Sequence, residues 1–212
     1  MADLREQLRN VLAGRVCVVG VGNVDHGDDG LGPRLAAEFG RKRAGRARSP
    51  ASTVHVLVAG ISPEDHLVRL LDGGFDQVLF LDAVDCGAEP GAVTLLDAGA
   101  MNARFPQIST HRLSLGALAR VLEQNGRTRA WLLGVQPASL HAGAPLSGPV
   151  SATVRLLTEL LLGALSEVML HEGPRPPSPC RPGPPTRPGH LTRRRGLVTP
   201  GEEAVSEEVS AC

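Results

Sequence analysis

Residues 15–39 read RVCVVGVGNVDHGDDGLGPRLAAEF, and the order of features in this stretch decides the fold class. The first seven residues, RVCVVGV, form an almost unbroken apolar run rich in β-branched side chains. Such a run suits a strand buried on both faces, as in a parallel sheet covered by helices. GNVDHGDDG follows, with the Gly, Asn and Asp content of a loop. Leu31, Leu35 and Phe39 then recur at helical spacing, and Pro33 fits only the first turn of that helix. Strand, loop and helix make a βα unit, and they put Asp28 and Asp29 at or just before the helix N-terminus.

The same grammar continues outward. Residues 53–58 (TVHVLV) alternate and are β-branched, which predicts a second strand. Ser62-Pro63-Glu64 starts a short helix marked by Leu67, Leu70 and Leu71. Residues 77–81 (QVLFL) predict a third strand that ends at Asp82, and residues 91–96 (GAVTLL), entered through Pro90-Gly91, a fourth. Residues 113–124 carry Leu113, Ala117, Leu118, Val121 and Leu122, an amphipathic helix stopped at Asn125-Gly126. Residues 130–135 (AWLLGV) predict a fifth strand, closed by Gln136-Pro137. Val150, Val154, Leu157, Leu161, Leu165 and Val168 form the stripe of a long closing helix. Alternating strands and helices imply an α/β, three-layer fold, with a mainly parallel five-stranded sheet between helices and right-handed crossovers. Residues 41–48 (RKRAGRAR) read as a basic loop, a solvated surface stretch or alternatively a docking patch for a partner.

Composition bounds the rest. The chain has 212 residues and is 42% hydrophobic, enough for one domain with a sizeable core. Aromatics make up only 2%, so that core must be Val, Leu and Ala. The domain is expected over residues 1–171. Residues 172–212 begin with the Pro-, Gly- and Arg-rich stretch GPRPPSPCRPGPPTRPG and end with the acidic GEEAVSEEVSAC. That composition cannot bury enough apolar surface to offset its ordering entropy, so a disordered tail is expected. Formal net charge is zero, which argues against nucleic acid or an acidic membrane surface as partner. The apolar run at 156–170 is interrupted by Glu159 and Glu167, against a membrane span. Cys17, Cys86, Cys180 and Cys212 include no C-x-x-C pair, hence neither a zinc framework nor a disulfide scaffold. The start, MADLREQLRN, lacks the apolar core of a signal peptide. A reducing, cytoplasmic setting is expected.

In an open parallel sheet, ligands bind at the carboxyl ends of the strands. Asp29 follows the first strand, Asp82 ends the third, and His111 lies after Ser109-Thr110 in the loop entering a helix. Two carboxylates and an imidazole suit a divalent transition metal with open positions. Each residue also has an ordinary reading. An acid after a strand is often a helix N-cap; Asp28 is the better cap candidate and Asp29 the better functional group, though propensity cannot settle which. A lone loop histidine is commonly just a surface residue. A dinucleotide loop is the rival, because Gly20-Val21-Gly22 follows a strand and precedes a helix. Three features oppose it. Asp25 stands where the third glycine belongs, the second strand ends in Val58-Ala59-Gly60 without an acid, and two carboxylates at the helix entrance repel phosphate while attracting a cation.

The segment VVGVGNVDHGDDGLGPRLAAEF resembles the opening motif of the nickel–iron hydrogenase maturation endopeptidases. LFLDAVDCGAEPGAVTLLD is similar to their second motif and STHRLSLGALARVL to their histidine-plus-helix segment. WLLGVQP is similar to the Gly-(Ile/Val)-Gln-Pro of the formate-hydrogenlyase branch. The motifs run in family order through about residues 15–170. The segment AGISPED departs from the Gly-Gly-Ser/Thr stretch usual in the family, and the tail lies outside the resemblance.

The resemblance implies an endopeptidase of the aspartyl-type peptidase grouping. It would remove the C-terminal extension of a nickel-loaded hydrogenase large-subunit precursor. It also implies that Asp29, Asp82 and His111 are the catalytic and metal-contacting residues. The nickel would be carried by the substrate and contacted transiently, with no tightly bound cofactor of the enzyme's own. A monomer is expected, because the substrate must cover the site. The alternative is a non-catalytic, metal-responsive binding module for the large subunit. No Ser-His-Asp or H-E-x-x-H pattern is visible, and Cys86 follows Asp85, whose charge would raise a thiol pKa. Water attack assisted by nickel or by a carboxylate is the expected scission; Asp85 reads as an ordinary surface acid, or else as a base or a group supporting the site. His26 is a candidate for the border of the site.

Overall fold

The computed structural model describes residues 3–46, 54–104 and 114–171. Five strands are interspersed with helices, β4 following β3 directly: β1 (Val16–Val21), β2 (Val54–Gly60), β3 (Gln77–Ala83), β4 (Val93–Asp97) and β5 (Arg129–Val135). The helices are α1 (Leu4–Val11), α2 (Leu31–Arg46), α3 (Leu67–Asp72), α4 (Ala98–Arg104), α5 (Leu115–Glu123) and α6 (Gly148–His171). The sheet order is β2-β1-β3-β5-β4, parallel throughout except for β4, which runs antiparallel to β5 at the edge. The α/β fold read from the sequence is therefore the fold observed.

Alternation along the strands splits the core into two layers. Val16, Val18, Leu79, Leu81, Leu133 and Val135 face α1, α2 and α6. Cys17, Val19, Val78, Phe80, Ala130 and Leu132 face the opposite layer, with α4 and α5. Every residue of β1 is buried, as a central parallel strand requires. Burial pushes the Cys17 thiol up to about 11, partly offset by Arg69, so it is a neutral core side chain at physiological pH. Among the described residues no helix is long and apolar enough to cross a membrane.

Three local expectations need correction or addition. Residues 41–46 are not loop; they are the last turns of α2. Gly40 lets α2 pass close over Val56 of β2, and Lys42 pairs with Glu38 at 3.1 Å and with Glu159 of α6 at 2.9 Å. Basic side chains in a final helical turn also match the helix dipole. Helix α1 was not foreseen, although Asp3 caps it and Leu4, Leu8 and Val11 sit at helical spacing. Helix α4 was also not foreseen; Asp97 Oδ1 accepts from the Ala100 N–H at its start. The expected tail, residues 172–212, lies outside the described residues.

Candidate active site

The site begins where α2 meets the sheet. A Cβ on Gly20 would stand 2.5 Å from the Gly32 carbonyl oxygen and 2.7 Å from Ala36 Cβ. A Cβ on Gly32 would run into the carbonyl oxygens of Val21 and Leu81. These glycines let the first turn of α2 sit directly on the carboxyl ends of β1 and β3. Gly22, at φ +123°, turns the chain away from β1, and a side chain there would collide with the Asp29 carbonyl. The glycines that resemble a phosphate loop are thus spent on packing the turn.

The turn itself, Gly27–Gly30, is a 3-10 helix that runs straight into α2 and touches β3. It carries both acids, and the structure gives them different tasks. Asp28 is fully buried. Its Oδ2 accepts from the N–H groups of Ala138 (2.8 Å) and Ser139 (3.1 Å), and its Oδ1 from that of Ser147 (2.6 Å). Burial pushes the Asp28 pKa up, but these hydrogen bonds together outweigh it and hold the carboxyl below its ordinary value. Asp29 is half-buried, and its Oδ2 accepts from the Asn23 N–H at 2.7 Å. Among the described residues its Oδ1 accepts no hydrogen bond. Asp28 is therefore structural, and Asp29 is the acid with capacity to spare.

Asp82 lies near the end of β3, beside Gly134 of β5, and is 7% exposed. Its Oδ1 accepts from the Ala83 N–H at 2.8 Å. Because the Asp29 turn rests on the end of β3, the fold brings Asp29 and Asp82 to the same end of the sheet. His111 lies outside the described residues. Among the described residues no group of three His, Cys, Asp or Glu side chains is placed to hold a metal ion.

Two residues around this site do work that the sequence does not foretell. Asp28 is one: expected as a helix cap, it lies inside the 3-10 turn and its carboxylate holds a distant loop instead. The other is Gln136, which is 8% exposed. Its Oε1 accepts from the N–H groups of Cys86 (2.8 Å) and Ala88 (3.2 Å), and its Nε2 donates to Asp85 Oδ1 at 3.2 Å. It ties the loop after β3 to the end of β5. The GVQP motif could have flagged it, but nothing local says what a glutamine there would hold. Asp85 is exposed at this end, and its Oδ1 also accepts from the Gly87 N–H at 3.2 Å. His26 is exposed within the turn, and its carbonyl accepts from the Asp29 N–H at 3.1 Å. His55 is a packing residue: it meets Phe75 edge-on, and burial, then Arg15, Arg43 and Arg69, lower its pKa. A groove of about 390 Å³ lies at the opposite end of the sheet, lined by Asp97, Glu123, Arg127, Arg129 and Trp131 among others, and it holds neither Asp29 nor Asp82.

A family model described as HycI, hydrogenase maturation protease, matches residues 37–164, more than half of the chain. The chain belongs to the hydrogenase maturation protease family. That the chain is a protease, as the motifs imply, follows from that family. The matched segment contains Asp82 and His111 and begins after Asp29. The hydrogenase 3 maturation protease of Escherichia coli is 29% identical over 143 residues, covering 68% of this chain and 86% of that one. The hydrogenase expression/formation protein HupD of Bradyrhizobium diazoefficiens is 29% identical over 158 residues, covering 72% and 79%. Among solved structures, the maturation protease HycI of Thermococcus kodakarensis superposes with a TM-score of 0.65 at 26% identity, covering 76% of this chain and 99% of that one. The hydrogenase maturating endopeptidase HybD of E. coli gives 0.59 at 26% identity, covering 74% and 94%.

Proposed function

We propose that this maturation protease removes the C-terminal extension of a nickel–iron hydrogenase large-subunit precursor once nickel has been inserted. In this reading Asp29, Asp82 and His111 complete the coordination of the nickel that the precursor carries. Cleavage then depends on a loaded metal, and the enzyme needs no tightly held metal of its own. The observation that carries the reading is the contrast within GDDG. Asp28 is saturated by backbone N–H groups, whereas Asp29 keeps an oxygen unspent on the turn that rests against the strand bearing Asp82. Carboxylate and imidazole ligands without a thiolate bind free metal only modestly, which suits a transient contact.

Scission is a water attack on the scissile carbonyl. The nickel polarises the carbonyl as a Lewis acid, or a carboxylate takes the proton from the water. The C–N bond then breaks, and that proton passes to the departing amine. Asp85 is the candidate base, because it is exposed at this end and Gln136 fixes one of its oxygens. The same reading carries a cytoplasmic, monomeric enzyme; Cys17 and Cys86 are both free thiols.

The test is direct. Purified protein mixed with nickel-loaded precursor should shorten the large subunit by a C-terminal peptide visible by mass spectrometry, and metal-free precursor should stay whole. An intact loaded precursor would point instead to a non-catalytic binding module.

A further inference from the structure

The loop of residues 138–147 leaves β5 beside Asp82 and has no regular secondary structure, yet it is held more firmly than a surface loop needs to be. Asp28 accepts three of its backbone N–H groups, from Ala138, Ser139 and Ser147. The bonding is reciprocal. The Asp28 N–H donates to the Ser139 carbonyl at 2.9 Å, and the Gly143 N–H donates to the Asp25 carbonyl at 2.7 Å. Gly27, at φ +56°, allows the approach, since a Cβ there would lie 2.8 Å from the Ser139 carbonyl oxygen. Turn and loop are thus joined by hydrogen bonds into one piece, and Asp29 is part of it.

That piece holds two large apolar side chains out to solvent. Val24 is 46% exposed on the turn side, and Leu140 is 50% exposed on the loop side. Single exposed hydrophobic residues are common and need no explanation. These two differ because they stand on the segments that the Asp28 latch joins, in continuity with Asp29. Val24 lies on the chain entering the Asp29 turn, and Leu140 directly follows Ser139, which exchanges hydrogen bonds with Asp28 in both directions.

We propose that Asp28 is a positioning residue that latches loop 138–147 to the Asp29 turn, and that Leu140, with Val24 beside the latch, contacts the precursor chain next to its nickel-binding residues. The proposal rests on the maturation-protease reading and deepens it by naming how the partner is held. Leu140 supplies binding to ground state and transition state alike, so its loss raises KM and leaves kcat in place. Asp28 acts through the loop, so its effect on KM should depend on Leu140.

The experiment uses the full chain and nickel-loaded precursor. Binding is measured by titration, independently of cleavage, and cleavage kinetics follow. Leu140→Ser should weaken binding and raise KM about five-fold or more, as expected for losing most of a buried leucine contact. Its kcat should stay within about two-fold, with an unchanged melting temperature, and Leu140→Met should restore KM. Leu170→Ser, an exposed leucine near the far end of α6, should change neither quantity. Asp28→Asn should raise KM in the parent but add little in the Leu140→Ser background. Wild-type binding and KM in Leu140→Ser overturn the proposal, and so does full additivity of the two substitutions. If the wild-type protein binds loaded precursor without cutting it, the protease reading fails. The loop is then judged on binding alone: a weaker Leu140→Ser complex upholds it, and an equal one overturns it.

Discussion

The two ends of the sheet spend their polar groups differently. At the amino end, Asp76 uses both oxygens: Oδ2 accepts from the Arg15 N–H at 2.9 Å, and Oδ1 from Arg127 Nε at 3.1 Å. Thr128 Oγ1 donates to the Phe75 carbonyl and accepts from Asn125 Nδ2, and Trp131 Nε1 donates to Gln77 Oε1. The Arg15 guanidinium donates to the Gly73 carbonyl and lies 5.4 Å from the Phe75 ring centroid. This end is a staple of mutually satisfied groups. At the carboxyl end, Asp28 and Gln136 do comparable work on two loops, but Asp29 is only partly used. Saturated polar groups hold a fold, whereas a carboxylate with a spare oxygen, on a turn locked by its neighbour, is prepared for a partner. Both ends carry acids, so acidity alone does not mark the site.

That contrast can be broken by substitution, and the largest effect should come from Asp29. Asp29→Asn should keep the fold and melting temperature. It should lower processing of nickel-loaded precursor on the order of 100-fold or more, since even outer-shell metal partners are worth about 10–100-fold. Full activity in that variant would remove Asp29 from the site.

Asp28→Ala should be chiefly a stability mutant. It removes a fully buried carboxylate that three backbone N–H groups share, a loss of about 3 kcal/mol by denaturant unfolding at roughly 1 kcal/mol or more per charge-assisted hydrogen bond. The sign with pH follows from the lowered carboxyl pKa. The ionised form stabilises the fold fully above the unfolded value of about 3.9, and the contribution is lost as pH falls through the lower folded value. The stability gap between wild type and Asp28→Asn should therefore be constant at neutral pH and shrink below about pH 4. A gap that widens on acidification would contradict the hydrogen-bond assignment.

At the amino end, Asp76→Ala should cost about 1–2 kcal/mol, because Asp76 makes fewer such bonds, is only half-buried, and water can replace it at the exposed Arg127 pair. Processing should be untouched; a loss of kcat/KM at constant stability would erase the distinction between the two ends. Thr128→Val should be smaller, about 1 kcal/mol for a net hydrogen bond, again without effect on cleavage.

Much of the architecture was legible because it rests on periodicity. β1 announces itself as a buried parallel strand by having no polar residue between Val16 and Val21. The stripe from Val150 to Val168 likewise appears as the buried face of α6. Residues 41–46 misled because basic composition looks like a loop, while the contact that extends α2, Lys42 with Glu159, joins residues far apart in sequence. The site was legible only as a set of candidates. Strand ends pointed to Asp29 and Asp82, but local propensity could not separate Asp28 from Asp29, because both are good capping residues at a helix entrance.

The sequence by itself therefore determined the class of fold, the end of the sheet that carries the candidate site and, through its ordered motifs, the family. These are carried by local patterns: hydrophobic period, turn residues and short motifs. Only the tertiary structure decided which of two adjacent carboxylates is consumed. The groups that consume Asp28 are the N–H groups of Ala138, Ser139 and Ser147, more than a hundred residues away in the chain. A hydrogen bond across that separation leaves no trace in local sequence, and it is what leaves Asp29 open.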